Sequence, residues 1–398
     1  MQCPFDNFDH YLDTSAMQKF ITPIPLSLYI HIPWCVRKCP YCDFNSHAVR
    51  NSIPEEAYVH ALLTDFAEQS SSIAERPISS IFLGGGTPSL FSPNAIDSLL
   101  THIQQQAQLT SDVEITLEAN PGTVDQAHFI GFRQAGVNRL SLGIQSLQDE
   151  KLQALGRIHD REYALRAIDT AMAAGFDNFN LDLMHGLPNQ SVEEALSDLK
   201  EALAFETPHV SWYQLTVEPN TFFHHQPPKL PEEDILWEIQ EQGKQTLFNA
   251  HFHQYEVSAY AQAEKECRHN RNYWEFGDYL GIGAGAHSKL TDFEKQQVTR
   301  HWQVKNPKDY LDAHKKLTAD KITLTDQALS FEFMLNALRL THGVPISLFT
   351  ERTGLSVDVI QAKVAVAKTK KLLSHDPNRL KATALGSRFL NDLVSLFL

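Results

Sequence analysis

From Leu26 onward the chain alternates short apolar runs with longer segments whose apolar residues recur every three or four positions. The runs "LSLYIHI", "SSIFLGGGTP", "EITLEANP", "RLSLGIQS", "FNLDLMHGLP" and "VSWYQLTVEP" are rich in β-branched and aromatic residues, and each ends on small, polar or proline residues. Between them, "AYVHALLTDFAEQ", "VDQAHFIGFRQAG", "EYALRAIDTAMAAG" and "SVEEALSDLKEAL" carry helical spacing. The repeat is about 30 residues, the length of a βα unit in a parallel sheet. Six such units predict an α/β fold, a partial TIM-like (βα)6 barrel rather than an open sheet. Chemistry in such barrels gathers at the C-terminal ends of the strands.

The pattern loosens after Pro219. "PPKLPEEDILWEIQEQGKQTLFNAHF" predicts a proline-rich linker and a helix, "YEVSAYA" a further strand, and "GDYLGIGAGAHS" an apolar, glycine-rich stretch. From about Thr323 the chain predicts helices at "FEFMLNALRL", "PISLFTERTG" and "VDVIQAKVAVAK", a small strand pair around "KLLSHDPNRLKAT", and an amphipathic closing helix at "GSRFLNDLVSLFL". That order is winged-helix-like. The expected divisions are a leader outside the fold (1–23), the barrel (24–220), an extension (221–320) and the helical C-terminal domain (321–398).

Length and charge narrow the function. A chain of 398 residues predicts a large α/β domain with a smaller one. A net charge of −14 argues against a general nucleic-acid binder, so no nucleic-acid partner is expected, and the lysines between Lys363 and Lys381 read as a solvated face. No apolar run is long enough to span a bilayer and no secretory signal pattern opens the chain, which predicts a cytoplasmic protein. Five cysteines is an odd number at low density, unlike a disulfide framework. Cys3, alone in the leader, reads as an incidental thiol.

The other feature of the cysteines is their spacing. "IHIPWCVRKCPYCDFNSH" places Cys35, Cys39 and Cys42 on one loop just after the first run. Iron–sulfur clusters favour all-thiolate ligand sets. Three sulfurs hold three corners of a four-iron cubane and leave the fourth iron open. A structural zinc ion wants four protein ligands, and the zinc alternative would recruit His31 or His47.

The loop resembles the signature of the radical S-adenosylmethionine (SAM) superfamily. The resemblance implies a [4Fe–4S] cluster on Cys35, Cys39 and Cys42 whose open iron chelates the amino and carboxylate groups of SAM. It implies that Tyr41 lies near the adenine and that Gly85, Gly86 and Thr87 of "GGGTP" face the methionine amino group. Glu118 suits ribose hydroxyls or a cation, Gln145 ends the fourth run, and Arg157 suits the SAM carboxylate. Asp182 sits within the fifth run, where a carboxylate must be paired. Tyr29 and Thr216 complete the expected SAM set.

"LSLYIHIPWC", "CPYCDFNSH", "GGGTPSL", "EANPGT", "NLDLMHGLP" and "SWYQLTVEPNT" together resemble the coproporphyrinogen III oxidase-like branch, and within it the heme-chaperone group. Oxygen-independent coproporphyrinogen oxidases carry a further cysteine two positions past the third, where this chain has Phe44. His269, Asn270, Tyr273 and Trp274 of "HNRNYW" match the heme-binding motif of the chaperone group, with His269 ahead of Cys267 as iron ligand. The resemblance implies binding of heme as cargo and its delivery to a membrane-associated acceptor hemoprotein such as a respiratory enzyme, with a homodimer as the assembly. Whether the chain is also an enzyme is left open. The competing reading is radical oxidative decarboxylation of coproporphyrinogen III.

Overall fold

The structure, a computed structural model, describes residues 20–50, 52–73 and 75–398. All six apolar runs form strands: β1 Leu26–Ile32, β2 Ile78–Gly85, β3 Leu109–Ala119, β4 Arg139–Gln145, β5 Phe179–His185 and β6 His209–Gln214. Each pairs in parallel with the next. The connecting helices are α1 Glu55–Ile73, α2 Pro93–Gln106, α3 Gln126–Gln134, α4 Arg161–Ala173 and α5 Val192–Leu203. Their starts follow from sequence. The Ser92 side chain accepts from the Ala95 N–H with Pro93 in the first turn, and Ser191 with Glu194 forms a capping box.

Beyond β6 the chain forms α6 Glu233–Asn249, β7 His253–Gln254, β8 Ala259–Ala261 and α7 Arg268–Trp274. The chain then returns to the opposite edge. There β9 Asp278–Ile282 pairs in parallel with β1, followed by antiparallel β10 His287–Asp292, β11 Gln297–Gln303 and β12 Thr318–Thr323. The sheet runs β12-β11-β10-β9-β1-β2-β3-β4-β5-β6-β8-β7. Its edge strands β12 and β7 do not pair, so the barrel is partial. The strand β9 adds a seventh parallel member to the six expected. It lies inside the glycine-rich stretch, where a Cβ on Gly281 would meet the His287 carbonyl oxygen at 2.1 Å. Glycine serves close backbone approach there.

A second core gathers α8 Asp326–Ala337, α9 Ser347–Thr353 and α10 Asp358–Thr369. The expected small strand pair appears as a bridge between Leu373 and Ala382 beside the pairing of Val344–Pro345 with Arg379–Leu380. The closing helix is broken: α11 Ala384–Arg388 and α12 Leu390–Ser395 meet at Phe389, whose φ of −112° and ψ of 50° are not helical. Phe20, expected to lie outside the fold, is buried in this second core, and its N–H donates to Gln296 Oε1 at 2.7 Å. Cys3 and the rest of the leader to residue 19 lie outside the described residues. Lys363, in the lysine-rich stretch, reaches the Phe397 and Leu398 carbonyls with its ammonium. Among the described residues no helix is long and apolar enough to cross a membrane.

Candidate functional site: two adjoining cavities at the strand ends

Strand alternation sends every second side chain to the barrel interior. On β3 these are Glu114, Thr116 and Glu118; on β4, Arg139, Ser141, Gly143 and Gln145; on β5, Asn180 and Asp182; on β6, His209, Ser211 and Tyr213. The strand ends converge with the cysteine loop on a cavity of about 320 Å³. Cys35, Cys39, Tyr41 and Cys42 line it on one side; Gly85, Gly86, Thr87, Glu118, Gln145, Arg157 and Asp182 line the others.

The cavity's groups are held tightly. Asp182 accepts from Ser141 Oγ at 3.0 Å and Asn180 Nδ2 at 2.8 Å, the pairing a carboxylate in a buried strand requires. Gln145 takes a φ of 69° at the end of β4, and its Oε1 accepts from the Tyr213 hydroxyl at 2.7 Å. Arg157 donates to the Gly143 carbonyl at 2.8 Å and reaches Cys39 Sγ at 3.6 Å. Gly85 has φ +115°, and a Cβ there would meet the His31 ring at 2.4 Å. Only glycine fits that turn. Burial, and then the nearby Asp182 charge, push the Glu118 carboxyl up to about 8. Burial likewise raises Asp182 and the Cys35 thiol.

The three cysteines are free thiols. The histidines that zinc would recruit are engaged: His31 Nδ1 is bonded to the Tyr29 hydroxyl at 2.9 Å and Nε2 to the Asn45 carbonyl at 2.9 Å, while His47 meets Asn45 Oδ1 at 3.2 Å. No group of three or more His, Cys, Asp or Glu among the described residues is gathered around a single ion position. A cubane takes one thiolate per corner iron and so accommodates sulfurs spread along a loop. The donor set therefore fits a cluster better than one zinc ion.

Phe44, Gly85 and Glu118 also line a second, larger cavity of about 990 Å³. Its lining includes the aromatics Tyr29, Tyr273, Trp274, Phe276 and Tyr279 and the basic residues Lys38, His287, Lys289, Arg300 and Lys305. Lys289 and Arg300 stand against the aromatics, over the Phe276 and Tyr279 rings. Phe44 is 62% exposed on the divide between the two spaces. Asn45 pins the cysteine loop to the far wall, its Nδ2 donating to the Ala284 carbonyl at 2.8 Å and to Lys305 at 2.9 Å.

The HNRNYW residues divide. Tyr273 and Trp274 line the larger cavity, while His269 and Asn270 line neither cavity. His269 is 1% exposed; its Nδ1 meets Ser80 Oγ at 3.0 Å and its Nε2 the Tyr273 hydroxyl at 2.8 Å. Burial lowers its pKa to about 3, so the ring stays neutral. Cys267 is fully buried against Glu114, and burial pushes its thiol up to about 12. Glu114 also accepts from the N–H groups of Arg268 and His269, both at 3.2 Å, and so anchors the start of α7. In this arrangement His269 orients Tyr273 and offers no free nitrogen to an iron, and Cys267 offers no thiolate. Thr216 lies past the end of β6, exposed, and lines neither cavity. Tyr29 belongs to the larger cavity instead of the smaller.

Ser141, Tyr213 and Glu114 were not anticipated. Two-residue alternation with Gln145 and Glu118 is the signal that would have found Ser141 and Glu114, whereas no anticipated residue on β6 points to Tyr213.

The Radical SAM superfamily profile matches residues 29–202 and the HemN C-terminal domain profile residues 324–389. The heme chaperone HemW of Haemophilus influenzae is 50% identical over 378 residues, covering 94% of this chain and 98% of that protein. The chain belongs to the HemW family. HemW of Escherichia coli is 48% identical with the same coverage, and the heme chaperone HemW of Bacillus subtilis is 33% identical across 94% of this chain and 99% of that one. The solved coproporphyrinogen III oxidase HemN from Escherichia coli shares the fold, with a TM-score of 0.80 at 23% identity over 94% of this chain and 90% of that chain. Against this HemW background, Phe44 acquires a position: it occupies the partition between the cysteine cavity and the cavity that receives the end of HNRNYW.

Proposed function

We propose that the chain is a heme chaperone that binds heme in the larger cavity and delivers it to a membrane-associated hemoprotein. The observation that carries the reading is the meeting of Tyr273 and Trp274 with a 990 Å³ cavity that shares a wall with the cysteine cavity. Flat aromatic faces suit a porphyrin plane, and the cations in the same lining suit its carboxylates. The names of its relatives as heme chaperones support the same conclusion. A cytoplasmic location, and the homodimer that the family resemblance suggests, belong to this reading.

The smaller cavity is proposed to hold a [4Fe–4S] cluster on Cys35, Cys39 and Cys42 with SAM beside it. When bound, the cluster supplies a single electron able to cleave the SAM sulfonium. The chain's own contributions are positional. Arg157 offers its guanidinium to a carboxylate, the Gly85–Thr87 turn brings backbone close to the ligand, and Glu118 and Asp182 favour a cationic ligand.

This charge arrangement makes SAM binding pH-dependent. Glu118 is raised to about 8, so below that pH the empty site holds it protonated. A bound cation favours the carboxylate, so SAM binding is expected to release a proton and to weaken as pH falls from 8 toward 6. Calorimetry in buffers of different ionisation enthalpy reads the proton count. Glu118→Gln should reduce the release, and a wild-type protein that binds SAM with no proton release across that range would refute the assignment.

The functional reading is tested with the anaerobically reconstituted protein. Stoichiometric heme binding without turnover of coproporphyrinogen III is expected in the presence of SAM and reductant. Turnover with no heme retained would replace the chaperone by the oxidase.

A further inference from the structure

We infer that His287 is the axial ligand of the bound heme iron, with Lys38 and Lys305 receiving the porphyrin carboxylates. The inference rests on the reading that this chain binds heme in the larger cavity. Two histidines line that cavity, His31 and His287. His31 is 5% exposed and both its ring nitrogens are bonded, to Tyr29 and to the Asn45 carbonyl. The phenols are engaged as well: Tyr29 with His31, Tyr273 with His269, and Tyr279 with Arg300. His287 differs from all of these. It is exposed, no hydrogen bond to its side chain is present among the described residues, and its ring stacks on Trp302 with centroids 5.8 Å apart and planes 24° apart.

Its position is fixed by the backbone. His287 opens β10 directly after the glycine turn at 283–286, and Asn45 ties that turn and Lys305 to the cysteine loop. A Cβ on Gly285, at φ +80°, would meet Asn45 Nδ2 at 2.4 Å, so the clip depends on glycine. The ring thus stands on a rigid element in the cavity that Tyr273 and Trp274 also line, and a metal ligand needs such support.

The cations of the cavity fall into two kinds. Lys289 is paired with Asp278 at 2.9 Å, and Arg300 with Glu332 at 2.6 Å. Among the described residues Lys38 and Lys305 have no carboxylate partner, and the Lys38 ammonium donates only to the Phe44 carbonyl at 3.0 Å. Two free ammonium groups match two carboxylates. Ligation itself is a dative bond: an imidazole nitrogen lone pair replaces a water on the heme iron, with no change of oxidation state.

The test uses the full chain titrated with ferric heme, with ligation read by magnetic circular dichroism and affinity by the same titration. The wild type should show nitrogen ligation by histidine. His287→Ala should lose that signature and bind roughly 10- to 100-fold more weakly, the range typical of a damaged metal site, with exogenous imidazole restoring the signature. His269→Gln, which keeps hydrogen-bonding groups near Ser80 and Tyr273, should retain histidine ligation. Lys305→Ala should weaken binding with the ligation unchanged. A His287→Ala protein with wild-type spectrum and affinity, or a thiolate spectrum in the wild type, would overturn the assignment while leaving the chaperone reading intact. A wild type that binds no heme at all would overturn both.

Discussion

Serine in place of Cys35, Cys39 or Cys42 is expected to leave the reconstituted protein with almost no iron or acid-labile sulfide, against about four of each per chain in the parent. The expectation follows from how few sulfurs are available. All three line one cavity, and the remaining described cysteine, Cys267, is fully buried and lines neither cavity. With a thiolate removed, two are left to hold a cubane, and no engaged histidine can substitute without breaking its own bonds. Cys267→Ser is the control and should keep full iron. Iron and sulfide assays after anaerobic reconstitution decide the matter. A serine variant that keeps the parental content would remove that cysteine from the ligand set.

The second large effect is on stability. Asp278, at the start of β9, is fully buried and holds three partners together. The Lys289 ammonium lies 2.9 Å from Oδ1, Thr291 donates its N–H at 2.8 Å and its hydroxyl at 3.0 Å, and Arg76 Nη1 lies 2.9 Å from Oδ2. Lys289 is itself 1% exposed. Asp278→Ala strands that ammonium in the interior, and breaking a buried pair from one side costs about 3–5 kcal/mol. Urea unfolding should show a loss of that order. The double variant Asp278→Ala with Lys289→Met should recover part of it, because the fully buried ammonium is then gone and only Arg76, 14% exposed, has lost its carboxylate. A single variant within about 0.5 kcal/mol of the parent, the size of an ordinary surface substitution, would show that the pair does not organise this edge of the sheet.

The contrast between what was legible and what was not has a physical basis. The six strands and the cysteine loop were read correctly as elements because each is announced locally, by an apolar run or by spacing within eight residues. The seventh parallel strand was not, since its glycines weaken the apolar pattern and its partner β1 lies some 250 residues away in the chain. The same reason hid the larger cavity. Its walls come from the cysteine loop, α7, β9 and the β10–β11 hairpin, and no window of sequence holds them together. Most of the proposed SAM set does meet in one cavity, because strand ends in a parallel barrel converge; Thr216 misses it because the chain has already left the strand. His269 shows the limit of motif reading. Its spacing places it one turn before Tyr273, and the i, i+4 geometry of α7 makes the two side chains partners, which consumes the nitrogen an iron would need.

Phe44, Gly85 and Glu118 belong to both cavities at once. On the proposed reading, a wall of three residues is all that separates the two ligands. With SAM on one side and heme on the other, any factor by which SAM changes the hold on heme must equal the factor by which heme changes the hold on SAM. On that reading Glu118 is the natural seat of any such exchange, since its proton would leave when a cation arrives on one side and its new charge would be felt on the other. The grip on the cargo would then answer to the supply of a small metabolite, without a conformational relay and without turnover.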